Sequence, residues 1–367
     1  MNIAIMGGGL SGLTCAIILE HYGITPTVFE RRSEPGDRFI CGEAIFSILD
    51  KPMNDFIRFF SEKHNIYLKP ISNINELTFY SPNKKAILKG NLGYTNLRGR
   101  HDLSFEKQLA TQLNTKINFN SKYTYSQLMN EFTHVVVATG DAAYTESIQS
   151  FQRGLSVNLK GATVEGIFNI HNPIVWLNYD FAPKGYAYLI PFNDREANIV
   201  IAYPDYKEVK NIDINIFWNK FYNAVQKDLN QSLNITDNFE VRNYIMGISS
   251  SPRIGNTFFV GNCLGTLMPG FGFGQVPSML SGLYAAFDIC GLGNYDILTN
   301  PLNQSYRDSL TIRRYLESIN NDNLDKIVET LDTKIANKLF NLDTINLMKM
   351  LSHILKPIVK YKEHINL

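Results

Sequence analysis

The chain has 367 residues, 44% hydrophobic and 19% charged, with a net charge of +1. That length suits one large domain or two closely joined ones, with ample chain to bury a core. The near-zero charge and the lack of a basic run leave no electrostatic case for nucleic acid, and no apolar run approaches the ~20 residues of a membrane span.

Asn2 to Met6 is a short apolar run with the character of a buried parallel strand, and it leads into Gly7-Gly8-Gly9-Leu10-Ser11-Gly12. A helical pattern follows through Leu13, Ala16, Ile17 and Leu19, then a second apolar run, Thr27-Val28-Phe29, that ends in Glu30. Strand, glycine turn, helix, strand and acidic tip is the order of a dinucleotide-binding βαβ unit. In such a unit Gly7 permits the turn, Gly9 lets backbone approach a pyrophosphate, and Gly12 lets the helix pack on the sheet. The first helical turn, Leu10 and Ser11 included, offers free N–H groups to the phosphates. Glu30 is placed to accept hydrogen bonds from an adenosine ribose and would repel a 2′-phosphate, which favours FAD or NAD over NADP. Taken alone, the glycines could equally mark a turn and nothing more.

A polar loop carries Arg31, Arg32 and Arg38, which could cover an adenine or reach a pyrophosphate, or simply be exposed. Phe39-Ile40-Cys41-Gly42-Glu43-Ala44-Ile45 follows, with a helix expected over Phe46–Leu49 and another over residues 53–64. Cys41 and the Gly42 amide could face a ligand there; a buried, inert cysteine is the alternative. Glu76 to Lys89 alternates like a hairpin around Ser81-Pro82-Asn83. Leu97-Arg98-Gly99-Arg100 leads to a helix over Ser104–Leu113 capped by Ser104. Ile117–Asn120 is a short strand candidate, and His134 to Gly140 is a second parallel strand ending in small residues.

From Leu155 to Tyr203 the pattern becomes antiparallel: Val164–Phe168, Ile174–Leu177, Tyr186–Pro191 and Asn198–Ala202. A helix is expected over Asp213–Leu229 and a strand over Phe239–Ile245. Thr257–Asn262 returns to a parallel strand, ahead of Pro269-Gly270-Phe271-Gly272-Phe273-Gly274-Gln275 and a helix over Val276–Leu292. That second glycine loop is another anion cradle, or a place where amides meet a flat ring. Pro301 to Leu367 reads as helical. Four cysteines (Cys15, Cys41, Cys263, Cys290) show no CxxC pairing and no zinc-like spacing with histidine, so no metal is expected. With no leader ahead of the first strand, a cytoplasmic protein is expected.

Together these motifs resemble the FAD-dependent aromatic-hydroxylase superfamily, and within it the geranylgeranyl reductase-like branch. The first glycine turn with Glu30 is similar to its ADP-binding fingerprint. Gly261-Asn262 followed by Pro269, Gly272 and Gly274 is similar to its distal flavin motif. Tyr186-Ala187-Tyr188-Leu189-Ile190-Pro191 resembles the reductases' aromatic-x-aromatic-x-Phe-Pro strand and the halogenases' Trp-x-Trp-x-Ile-Pro strand. Cys41-Gly42-Glu43-Ala44-Ile45 resembles the reductases' Cys-Gly-(Gly/Glu)-x-Ile segment. The resemblance spans roughly residues 1–300. It departs at Asn262, where the family has Asp, and at Ala138-Thr139-Gly140-Asp141, which lacks the hydroxylases' Asp-Gly pair. No lysine stands around Arg38–Ile45 where the halogenases carry theirs.

The resemblance implies an α/β chain, with a Rossmann-type FAD-binding domain, an inserted antiparallel-sheet substrate domain and a helical C-terminal region. The corresponding residues are 1–50, 91–150 and 255–295 for FAD, 51–90 and 151–254 for substrate, and 296–367 for the helices. It implies FAD held by Gly7, Gly9, Leu10, Ser11, Gly12, Glu30, Arg31, Arg38, Cys41, Gly42, Arg100, Gly140, Gly261, Asn262, Gly272, Gly274 and Gln275. Arg100 is expected near the phosphates and Asn262 on the ribityl chain. Cys41, Tyr186 and Tyr188 are the implied active-site side chains, in a reductase of C=C bonds in an isoprenoid or similarly apolar substrate. NAD(P)H or another reductant would donate electrons. An oxygen-using monooxygenase or halogenase acting on an aromatic metabolite, and a non-catalytic flavoprotein, are the alternatives.

Near the C-terminus Ile345, Leu347, Met348, Leu351, Ile354, Leu355, Ile358 and Val359 fall on one helical face, with Lys349, Lys356, Lys360 and Lys362 beside them. Such a helix docks on its own domain or rests on a membrane surface. Pro357 is expected to interrupt it.

Overall fold

The computed structural model describes residues 1–49, 53, 55–341 and 346–365. The chain opens with β1 (Ile3–Met6), α1 (Leu10–His21), β2 (Thr27–Phe29), β3 (Cys41–Phe46) and α2 (Phe56–His64). The hairpin β4 (Ser72–Tyr80) and β5 (Lys85–Arg98) precedes α3 (Phe105–Ala110), β6 (Ile117–Asn118), α4 (Tyr125–Glu131), β7 (His134–Val137) and α5 (Ala142–Glu146). Then come β8 (Phe151–Glu165), β9 (Ile174–Trp176), β10 (Tyr186–Pro191), β11 (Glu196–Pro204), α6 (Ile214–Leu229), β12 (Asn234–Ser249), β13 (Arg253–Ile254) and β14 (Thr257–Phe259). The rest is helical: α7 (Gln275–Ile289), α8 (Tyr295–Glu317), α9 (Asn321–Leu331), α10 (Lys334–Phe340) and α11 (Leu347–Ile365).

Two sheets organise these elements. The first has the order β13-β14-β7-β1-β2-β6, parallel from β14 through β6. Its centre, β1, is covered on both faces, which is why Ile3-Ala4-Ile5 is an unbroken apolar run rather than an alternating one. Helix α1 is buried from Leu10 to Leu19. An apolar stripe on one face would not suffice there, because α1 lies between the sheet and α7. The two helices approach closely: a Cβ on Gly282 of α7 would lie 2.1 Å from the Ser11 carbonyl oxygen.

The second sheet has the order β12-β8-β11-β10-β9-β4-β5-β3. Its pairings are antiparallel apart from the parallel contact of β4 with β9. Its core includes Ala162, Ile199, Ile201 and Trp176 from the strands and Phe217, Trp218, Phe221 and Val225 from α6. Each such large side chain contributes roughly 1.5–3 kcal/mol on burial, so α6 is held chiefly by this face. Asp213 caps its start and Asn230 closes its end in the left-handed region.

Several sequence expectations change. Cys41–Phe46 does not approach a helix; it is strand β3, paired from Cys41↔Arg98 to Phe46↔Gly93. The ladder with β5 outweighs the weak local helical pattern at Phe46–Leu49. This puts residues 41–46 and 91–98 in the second sheet, across the boundaries drawn at 50 and 91. Residues 50–52 and 54 lie outside the described residues, and the helix expected over 53–64 starts at Phe56 behind an Asp55 cap.

Pro357 does not interrupt the C-terminal helix: α11 runs through it. The apolar face expected there is divided. Met348, Leu351 and Leu355 pack with Met268 and Ile312, whereas Ile354 and Ile358 are exposed. Ile345 lies outside the described residues. Among the described residues no helix is long and apolar enough to cross a membrane.

Candidate functional site

The first glycine turn is fixed by close approach. Gly7 has φ +123°, and a Cβ there would lie 2.2 Å from the Ala138 carbonyl oxygen at the end of β7. A Cβ on Gly12 would lie 2.1 Å from the Gly7 carbonyl oxygen, so Gly12 serves the packing of α1 on the turn. Gly9 differs, because a Cβ on it would meet nothing within 4 Å. It borders open space at the start of α1. Glu30, at the tip of β2, accepts the Gly8 N–H on Oε2 at 2.7 Å and the Arg32 N–H on Oε1 at 2.9 Å. Each carboxylate oxygen keeps a lone pair for a further donor.

The second glycine loop is assembled by long-range bonds. The Gly261 N–H donates to Ser281 Oγ at 2.8 Å, and the Gly270 N–H to Ser309 Oγ at 2.7 Å. Asn262 Nδ2 donates to the Tyr244 hydroxyl, which in turn donates to the Gly140 carbonyl at 3.5 Å. The Tyr186 hydroxyl donates to the Phe271 carbonyl. Gln275 is clasped by Asn96 of β5: Asn96 Nδ2 donates to its Oε1 at 2.8 Å and its Nε2 donates back to Asn96 Oδ1 at 3.0 Å. Both amides are buried. This reciprocal pair fixes the first residue of α7 against the second sheet, leaving the backbone amides of Gly274 and Gln275 as the groups able to face a ligand.

Capping separates these two loops from the rest of the protein. A side chain caps the starts of α2, α3, α4, α5, α6, α8, α9 and α10, from Asp55 to Thr333. Helices α1 and α7 instead begin at Gly9 and Gly274, with no side-chain cap. Their first-turn N–H groups and the positive ends of their dipoles are therefore available to an outside acceptor.

Between the two loops stand the residues of the second sheet. Cys41 Sγ lies 3.5 Å from the Tyr188 hydroxyl. Burial, assisted by the Glu43 carboxylate, pushes the Cys41 thiol up to about 12. Burial likewise holds the Tyr186 and Tyr188 phenols above their ordinary value. All three are protonated at neutral pH and can donate. The Tyr186 and Tyr188 rings lie 6.1 Å apart at 35°.

Arg98 was not singled out by the sequence, yet it borders the site where Arg100 does not. It lines the cavity described below, with Nε 2.8 Å from Glu106 Oε1 and Nη1 3.5 Å from Glu43 Oε2. Burial works against its charge, but the two carboxylates outweigh that and hold it above the ordinary arginine value. Arg38 approaches the same Glu43 at 3.8 Å. Arg100 instead pairs with Asp237 at 2.5 Å and is half exposed. Gly99, between the two arginines, has φ +89°. No signal in the sequence separates the two, because the burial of Glu106 in the first turn of α3 is set by the fold.

These groups line one cavity of about 700 Å³. Every expected site residue lines it except Gly12 and Arg100: the first turn, Glu30, Arg31, Arg38, Cys41, Gly42, Gly140, Tyr186, Tyr188, Gly261, Asn262, Gly272, Gly274 and Gln275 all do. Among the described residues no cluster of three or more His, Cys, Asp or Glu side chains could hold a metal ion.

Comparison with known proteins places this geometry. Residues 5–56 match the NAD(P)-binding Rossmann-like domain. No curated protein sequence matches the chain. Among solved structures, a geranylgeranyl bacteriochlorophyll reductase-like protein from Thermoplasma acidophilum has a TM-score of 0.71 at 18% identity, covering 98% of both chains. A flavin-dependent brominase has a TM-score of 0.69 at 13% identity, covering 99% of this chain and 100% of its own. A 2-methyl-3-hydroxypyridine-5-carboxylic acid oxygenase has 0.60 at 17% identity, covering 93% and 96%. Residues 5–56 thus resemble an NAD(P)-binding Rossmann-like domain, and the chain shares, over nearly its whole length, the fold of those three proteins.

Proposed function

We propose that this protein is an FAD-dependent oxidoreductase that reduces C=C bonds of an isoprenoid or similarly apolar substrate. The observation that carries the cofactor is the pair of uncapped helix starts, Gly9 and Gly274, on one cavity. The residues present fit the group. The open space beside Gly9 and the first turn of α1 suit a pyrophosphate, and the spare lone pairs of Glu30 suit ribose hydroxyls. The Asn262 amide suits the ribityl chain, and the Gly274 and Gln275 amides suit the electron-rich edge of the ring system.

When bound, the flavin would supply the hydride. The chain's own part is to bind, orient and hold a proton. Alkene reduction also needs a proton on the second carbon, and Tyr188 Oη, kept protonated beside Cys41 Sγ, holds one on the cavity wall. Ile174, Val175, Ala202 and Pro204 supply apolar surface on that cavity and would exclude water from the reacting bond.

Purification followed by a visible spectrum tests flavin occupancy, and anaerobic reduction with NADH, NADPH and dithionite in turn tests the donor. Turnover of a prenyl substrate without oxygen supports the reductase. Turnover that stops without oxygen would select the alternative, a monooxygenase or halogenase, which the shared fold of the brominase and the oxygenase supports equally. A colourless protein that neither binds FAD nor is stabilised by it would leave a non-catalytic flavoprotein fold.

A further inference from the structure

Charge is divided unevenly along the chain. Residues 333–362 hold six lysines, Lys334, Lys338, Lys349, Lys356, Lys360 and Lys362, and one carboxylate, Asp343. The whole protein has 35 lysines and arginines against 34 carboxylates, so this stretch is strongly basic and the rest of the chain is net acidic. It spans α10 and most of α11, with Asp332 just before it and Glu363 just after.

The two helices cover adjoining parts of the core. Ala336 and Phe340 of α10 pack in the cluster that includes Phe46. Met348, Leu351 and Leu355 of α11 pack in the cluster that includes Phe273, and the Phe46 and Phe273 rings lie 5.5 Å apart. The outer sides of both helices keep large apolar groups in solvent. Ile335 is 74% exposed, more than any other large apolar side chain among the described residues, and Ile354 and Ile358 are 57% and 41% exposed. Lys334, Lys338, Lys349 and Lys356 are exposed as well. On α11 Lys349 and Lys356 stand two turns apart on one flank of the outer face, and Ile354 and Ile358 one turn apart on the other.

An exposed isoleucine by itself is ordinary surface. Here three of them lie among lysines, and neither helix carries a carboxylate before Glu363. Nucleic acid would pair with the lysines and leave the isoleucines in water. A bilayer surface with anionic head groups suits both, with phosphates for the ammonium groups and the acyl boundary for the branched side chains. We propose that α10 and α11 form a surface that docks on an anionic lipid bilayer. The helices lie on the bilayer and do not cross it, since among the described residues none is long and apolar enough. This inference stands apart from the oxidoreductase reading, because the surface is the same with or without a flavin.

The test is co-sedimentation of the whole chain with vesicles of phosphatidylcholine alone and of phosphatidylcholine with a minor share of phosphatidylglycerol. The anionic vesicles should bind it about tenfold or more tightly, and molar salt should remove most of that difference. Lys334→Gln, Lys338→Gln, Lys349→Gln and Lys356→Gln together should abolish the preference. Ile354→Ser with Ile358→Ser should weaken binding to the anionic vesicles without changing the charge. Equal sedimentation with the two kinds of vesicle overturns the proposal, as does binding that the isoleucine changes leave intact. Tighter binding to duplex DNA or polyglutamate at equal charge assigns the surface to another partner and also overturns it. The wild-type comparisons stand even if a variant fails to fold. Visible absorption of the same samples separates the two readings. Coloured protein without the anionic preference removes this inference alone, whereas colourless protein with it removes the oxidoreductase alone.

Discussion

The two uncapped helix starts look alike and are built in opposite ways. The α1 start is local: strand, turn, helix and the Glu30 carboxylate lie within the first 30 residues, and Glu30 itself ties down Gly8. The α7 start is drawn from four distant places, with Asn96 clasping Gln275, Tyr186 holding Phe271, Ser309 holding Gly270, and Tyr244 holding Asn262. One half of the site is therefore a property of a short sequence, and the other of the tertiary fold. The halves touch where Gly282 of α7 packs on the Ser11 carbonyl, so the two cradles keep a fixed spacing, which a single extended cofactor requires.

The largest expected effects come from the local half. Gly12→Val would drive its side chain into the Gly7 carbonyl, 2.1 Å from where its Cβ must sit. Backbone offers no rotamer escape, so a loss of more than about 3 kcal/mol is expected, read by chemical denaturation. Gly9→Ala should behave differently although it stands three residues away. Its Cβ enters open space, so stability should change by less than about 1 kcal/mol. FAD affinity, read by fluorescence titration, should nevertheless fall. Equal loss of stability in both variants would show that the two glycines do the same work.

The distributed half should break more gently and with coupling. Asn96→Ala leaves the buried Gln275 amide without its partner, which costs about 1–3 kcal/mol. Gln275→Ala should cost a similar amount, and the double variant should cost less than the sum, because each single change strands the other amide. Additive losses would mean that the clasp contributes nothing as a pair. Tyr186→Phe, which leaves the Phe271 carbonyl without its donor, is expected to cost about 1 kcal/mol on the same scale.

This contrast also explains what the sequence could tell. The βαβ unit was legible because its signal is local: an apolar run, glycines at fixed spacing, and an acid at the next strand tip. The Tyr186–Pro191 strand and the parallel strands near His134 and Thr257 were legible by periodicity and apolar content. Cys41–Phe46 was misread because its structure comes from a ladder with residues more than forty positions away. Arg98 and Arg100 could not be told apart, since the deciding partners, Glu106 and Asp237, become neighbours only through folding. Arg313 of α8, buried on the cavity wall, gave no signal at all, because in a helical pattern an arginine reads as a solvated face.

At neutral pH the smallest expected effect concerns the wall between the two cradles, where a difference appears only in alkali. Cys41 holds its proton up to about 12 in the folded protein, against an ordinary thiol value of 9.0. Below 9.0 both folded and unfolded chains keep that proton, and the contribution to stability is fully present. Above it the unfolded chain releases the proton and the folded one does not, so unfolding is favoured increasingly as pH rises, until the folded thiol ionises near 12. The wild type should therefore lose stability faster than Cys41→Ala by up to about 1.4 kcal/mol per pH unit. The comparison is cleanest between about pH 9 and 10, below the ordinary range of phenols. Denaturation curves of the two proteins at several pH values measure it. Parallel pH dependences would mean that the Cys41 thiol ionises as freely in the folded protein as in the unfolded chain, and that the wall beside Tyr188 is wetter than its burial indicates.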